Sequence, residues 1–66
     1  MYGKILKDLR QEKGLTQAQL AQDLETTQRN ISRYELETID LSTEMVSKIC
    51  KYFKISADYL LGIKGD

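Results

Sequence analysis

The residues of this chain best suited to chemistry form a short polar run, Thr27-Gln28-Arg29-Asn30, followed closely by Ser32 and Arg33. Arginine can donate two hydrogen bonds to guanine O6 and N7, and glutamine or asparagine can pair in the same bidentate way with adenine N6 and N7. Thr27 offers a methyl group for a thymine methyl and a hydroxyl for a phosphate. What is missing narrows the chemistry further. There is no histidine, so the commonest general base and every Ser-His or Cys-His pair are absent. One cysteine without histidine cannot build a zinc site. This inventory argues against an enzyme and implies no metal and no cofactor.

For these groups to act together they must share one face of one element. The chain has no proline and no sustained alternation of apolar and polar residues; apolar residues recur instead at helical spacing. The spacing predicts a first helix from about Tyr2 to Lys13, with Ile5, Leu6 and Leu9 on one stripe and Gly14 ending it. Thr16-Gln17-Ala18-Gln19 fits a capping box, with Thr16 as N-cap and Gln19 reaching back, ahead of a short helix that buries Leu20, Ala21 and Leu24. Thr27 then caps a third helix, Gln28 to about Leu36, marked by Ile31 and Tyr34. Ser42, with Glu44 in the first turn, opens a fourth helix on Met45, Val46, Ile49 and Phe53. Ser56 and Asp58 begin a fifth, Ala57 to Leu61, which Gly62 ends. The expected class is all-α, a compact five-helix bundle forming one domain over residues 1–66.

Helical phase then decides where the polar run points. At about 100° per residue, placing Ile31 inward brings Tyr34 and Glu35 within about 60° of the core direction and sets Arg29 and Arg33 within about 20° of the opposite pole. Ser32 and Asn30 flank them, and Gln28 lies at the N-terminal tip. On this reading every outward position carries a hydrogen-bonding side chain and none is acidic. The plain alternative is a solvated surface helix with two arginines. Ten basic and ten acidic residues give no net charge, so basic groups must be concentrated locally if a polyanion is to be bound. The N-terminus of the second helix adds backbone N–H groups beside Thr16 and Gln17.

Sixty-six residues allow one small domain of modest stability. Hydrophobic residues at 41% and charged residues at 30% are a globular composition and exclude disorder as the default. A single cysteine, and an opening that does not read as a signal peptide, give the expectation of a reducing cytoplasm. No apolar run approaches the ~20 residues that span a bilayer.

The ordered series Leu9-Arg10, Lys13-Gly14-Leu15-Thr16-Gln17, Leu20-Ala21, Leu24, Thr27, Ile31-Ser32-Arg33-Tyr34-Glu35 and Ile55-Ser56-Ala57-Asp58-Tyr59-Leu60-Leu61 resembles the Cro/CI-type (XRE-like) helix-turn-helix family across about residues 4–62. The resemblance implies a lambda-repressor-like DNA-binding domain with its helix-turn-helix at about 16–36. It implies that the helix at 28–36 enters the major groove of double-stranded DNA while the preceding helix crosses the backbone. Thr27, Gln28, Arg29 and Arg33 become the expected readers of base edges. Thr16, Gln17, Asn30 and Ser32 become the expected phosphate or water-mediated contacts, with Gln17 also able to brace Gln28. Arg10 and Glu35 take the position of an ion pair joining the first helix to the third, the alternative for Arg10 being a phosphate contact. The implied function is a sequence-specific transcriptional regulator, a repressor acting by occupancy as a homodimer, formed before or on DNA. The alternative is a protein-interaction module on the same fold, an antitoxin or anti-repressor partner.

Three departures from the family pattern bear on this. Glu25 stands in the turn where the family often has glycine, and a left-handed residue there costs roughly 1–2 kcal/mol without it. Leu36-Glu37-Thr38-Ile39-Asp40-Leu41 replaces a loop that often carries glycine, a cation and proline, removing expected phosphate contacts. The third is length: a ligand-sensing or oligomerisation domain is not expected within these residues, and no small-molecule effector is evident. Elsewhere, Cys50 is expected to pack rather than to sense redox state. Tyr2, Tyr52, Tyr59, Leu61 and Ile63 could form a dimer face or complete the core. Lys48, Lys51 and Lys54 form a solvated stripe or a second phosphate patch.

Overall fold

The structure, a computed structural model, describes residues 1–62. Among these the elements are α1 (Tyr2–Glu12), α2 (Gln17–Asp23), α3 (Gln28–Leu36), α4 (Thr43–Phe53) and α5 (Ala57–Leu61). The four expected caps all close their helices. Thr16, Thr27, Ser42 and Ser56 each accept, through the side-chain oxygen, a hydrogen bond from the backbone N–H three residues on. Each such cap satisfies a donor that the helix itself cannot, typically worth about 1 kcal/mol. At Thr16 the capping box is complete, because the Gln19 side chain also accepts from the Thr16 N–H at 2.9 Å.

The core forms where the apolar stripes converge. Leu6, Leu20, Ala21, Leu24, Ile31, Tyr34, Met45, Ile49 and Leu60 are buried together, with Ile5, Val46, Cys50 and Phe53 packed at the rim. Cys50 is held in this apolar rim, and burial pushes its thiol up from the ordinary value, the behaviour of a packing residue. Helix α3 packs chiefly against α1 and α2, and α4 against α5. The inner side of α3 is thus fixed from two directions.

Two close approaches set that arrangement. Gly14, at φ +70°, reverses the chain after α1, and the Leu15 N–H then reaches the Arg10 carbonyl at 3.0 Å. Gly3 is buried where α1 meets the C-terminal end of α3. A Cβ at that position would lie 2.4 Å from the Glu35 carbonyl oxygen, so only glycine admits this crossing. The Gly3 N–H donates to Glu37 Oε2 at 3.0 Å, and the Tyr2 hydroxyl donates to the Ile39 carbonyl at 2.6 Å. Glu37 therefore does two jobs: left-handed at φ 58°, it ends α3, and its carboxylate caps the start of α1. That second role was not legible in the sequence.

Candidate nucleic-acid interface

The turn between α2 and α3 is built on Leu24, Glu25 and Thr26. Glu25 adopts φ 60°, the left-handed conformation implied by the glycine usual in the resembled family, and the Thr26 N–H closes back on the Ala21 carbonyl at 2.9 Å. From α4, Lys48 Nζ donates to the Leu24 carbonyl and to Glu25 Oε1, both at 3.3 Å. The cation thus meets the C-terminal end of α2 and offsets the acid in the turn. This engages one member of the expected lysine stripe with the turn.

Helix α3 has the phase expected of it. Ile31 is fully buried and Tyr34 nearly so, while Gln28, Arg29 and Arg33 are exposed. Among the described residues these three side chains make no hydrogen bond or ion pair, so two guanidinium groups stand free on the outward face and an amide stands free at the N-terminal tip. Thr27 Oγ1 accepts from the Asn30 N–H at 3.1 Å, and its own O–H is left to donate. Thr16 is placed likewise at the start of α2. Ser32 is half-buried on the flank.

Beneath that face one carboxylate joins three helices. Glu35 accepts from Arg10 Nε at 2.6 Å and Nη2 at 3.1 Å, and from Gln17 Nε2 at 3.0 Å. Arg10 Nη1 also donates to the Leu15 carbonyl at 2.9 Å. The Arg10 and Glu35 side chains are 11% and 4% exposed, so this bidentate pair is largely withdrawn from water. Of the two roles open to Arg10, the ion pair is the one observed.

Two expectations are corrected here, the Gln17–Gln28 brace and the wholly polar outward face, and other contacts choose among the alternatives left open. Gln17 does not brace Gln28; its amide is drawn inward to Glu35, whose charge makes it the stronger acceptor. The Asn30 amide donates to Thr26 Oγ1 at 2.9 Å and so supports the turn. Tyr2 and Tyr52 are held within the chain, Tyr52 by donating to Asp23 Oδ2 at 2.5 Å with the Lys13 ammonium over its ring. Of the expected dimer face, Tyr59 and Leu61 are exposed, and Ile63 lies outside the described residues. Finally, the outward face is not wholly polar: Leu36 is 70% exposed at its C-terminal end. Helical phase would have placed it there, because it lies seven residues after Arg29.

No described helix is long and apolar enough to cross a membrane. No group of His, Cys, Asp or Glu able to hold a metal ion is present among the described residues.

Comparison with known proteins identifies the family and the fold. The family described as "Helix-turn-helix domain" matches residues 3–65. The chain is 40% identical over 60 residues to the HTH-type transcriptional regulator ImmR of Bacillus subtilis, covering 91% of this chain and 47% of that protein. It is 37% identical over 62 residues to the antitoxin PezA of Streptococcus pneumoniae, covering 94% of this chain and 39% of that protein. The chain thus spans less than half the length of these curated relatives. Its fold superposes on the crystal structure of the P22 c2 repressor protein in complex with synthetic operator 9T. The TM-score is 0.86 at 26% identity, over 100% of this chain and 97% of that one. This chain belongs to the helix-turn-helix domain family, in its Cro/CI-type (XRE-like) branch.

Proposed function

We propose that this chain is the DNA-binding part of a transcriptional regulator that represses by occupying its operator as a homodimer. One observation carries the reading: α3 is anchored by Ile31 and Tyr34 and presents Gln28, Arg29 and Arg33, all exposed and unpartnered among the described residues. Free bidentate donors on the outer face of the second helix of such a pair suit base edges in a major groove. The likeness to a repressor crystallised with its operator, and to a transcriptional regulator, supports it. Thr27, Gln28, Arg29 and Arg33 are the proposed base readers; Thr16 and Ser32 supply hydroxyls to phosphates. Gln17 and Asn30 contribute mainly by holding α2 and the turn in place.

Local charge is compatible with this despite the overall neutrality. The two acids that bracket α3 are both paired with cations, Glu25 with Lys48 and Glu37 with the Met1 amino group. The positive charge of Arg29 and Arg33 is therefore not cancelled at the helix ends. A single module of this size buries only about 600–1,000 Å² on DNA, which favours a dimer spanning two half-sites about 34 Å apart. Exposed Tyr59 and Leu61 on α5 are available for subunit contact.

The competing reading is a protein-docking module, favoured by the likeness to an antitoxin and by the acidic loop. Gel-shift titration against genomic fragments at two salt concentrations separates them. A dimer whose lysines and arginines neutralise four phosphates would lose roughly 150-fold in affinity over a fourfold rise in salt. Discrete selected sequences with such a slope support the regulator; absence of both selection and slope overturns it. Arg33→Ala should then cost about 1–3 kcal/mol at one base position and leave the melting temperature unchanged.

A further inference from the structure

Leu36 sits on the outward stripe of α3 with Arg29 and Arg33, and it has the wrong chemistry for open water. Isolated exposed leucines are ordinary on protein surfaces, so exposure alone says little. Position says more. Counting from Ile31, Leu36 falls within about 40° of the outward pole, on the same side of the helix as both arginines. It stands about 10.5 Å along the axis from Arg29, close to three base-pair steps, and helical side chains lean toward the N-terminus, here back toward Arg33. Of the base-edge features exposed in a major groove, the C5-methyl of thymine is the apolar one.

The ground beside Leu36 suits a nucleic-acid strand. A surface groove between α1 and the end of α3 is lined by Leu36 together with Lys4, Lys7, Asp8, Glu35 and Glu37. Its acids are each paired with a cation: Asp8 with Lys4 at 3.1 Å, Glu35 with Arg10 at 2.6 Å, and Glu37 with the Met1 amino group at 3.8 Å. Lys7 has no partner among the described residues, which leaves the groove with one uncompensated cation.

We infer that Leu36 is a specificity-determining residue that packs against thymine methyl groups in the operator, extending the set of base readers by one apolar contact. This rests on the proposed DNA-binding function. Its test begins by selecting bound duplexes from a random-sequence pool with the full chain. Each thymine of the selected site is then replaced in turn by deoxyuridine, which lacks only the methyl. Affinity is measured for the unaltered chain, for Leu36→Ala and for Leu36→Val, with a thermal melt of each variant to verify folding.

The unaltered chain should lose about fourfold in affinity at one thymine per half-site, the value of one buried methyl-sized group. Leu36→Ala should lose that sensitivity, and Leu36→Val should retain part of it. Equal methyl sensitivity in all three proteins, or none at any position, overturns the assignment while leaving DNA binding intact. A pool that yields no enriched sequence removes the DNA-binding reading itself, and the role of Leu36 with it.

Discussion

Removing one member of the Arg10–Glu35 pair should be among the most damaging single changes away from the apolar core. In Arg10→Met the Glu35 carboxylate, 4% exposed, keeps only the Gln17 amide of its three donors. Stranding a buried charge in this way costs roughly 3–5 kcal/mol, and the remaining donor places the expectation at about 3. A chain of 66 residues has about 3–10 kcal/mol in all, so the loss takes a third or more of its stability. The melting temperature should fall by about 12–24 °C. Glu35→Leu should cost less, because the long Arg10 side chain can swing its head toward water from the rim. The double variant Arg10→Met with Glu35→Leu should recover much of the loss, since neither charge is then left unpaired. Thermal and urea unfolding followed by circular dichroism measure all three. Loss of under about 1 kcal/mol in both single variants, or a double variant equal to the sum of the two, would refute the reasoning.

Other expectations follow from the packing. Ile31→Ala, at a fully buried position, should cost about 2–5 kcal/mol in urea unfolding; an unaltered midpoint would mean α3 is phased differently. Gly3→Ala drives a Cβ toward the Glu35 carbonyl and should cost about 1–3 kcal/mol, whereas a neutral result would deny the close crossing of α1 and α3. Tyr2 and Tyr52 both have pKa values raised above the ordinary tyrosine value of about 10. For Tyr2 the main cause is burial, and for Tyr52 the hydrogen bond to Asp23. Because the folded state disfavours their phenolates, their stabilising effect is complete below the unfolded pKa and is lost as pH rises through the folded values. Stability should therefore decline above about pH 10, less steeply in a Tyr2→Phe, Tyr52→Phe variant. An equal decline in that variant would assign the loss to other groups.

Much of this molecule could be read from residue order alone, because its local signals agree with one another. Serine and threonine caps, a glycine after a lysine, and apolar residues at helical spacing each act within a few residues, so they located five helices and the starts of the last four. The same periodicity turned Ile31 inward and Arg29 and Arg33 outward, since helical phase is a property of the single element. The left-handed turn residue at Glu25 was implied by the family resemblance, whose pattern often has glycine there.

What needed the tertiary structure was every choice made by a side chain with two possible partners. The Gln17 amide meets the Glu35 carboxylate only because α2 packs beside the Arg10–Glu35 pair. Asn30 was captured by Thr26, Lys48 by the turn, and Glu37 by the start of α1. Gly3, unremarkable in the sequence, proved to be where two backbones nearly touch. Amphipathic spacing fixes the direction in which a side chain leaves its own helix. Which group it meets depends on elements distant in the chain, and only packing brings those within hydrogen-bonding range.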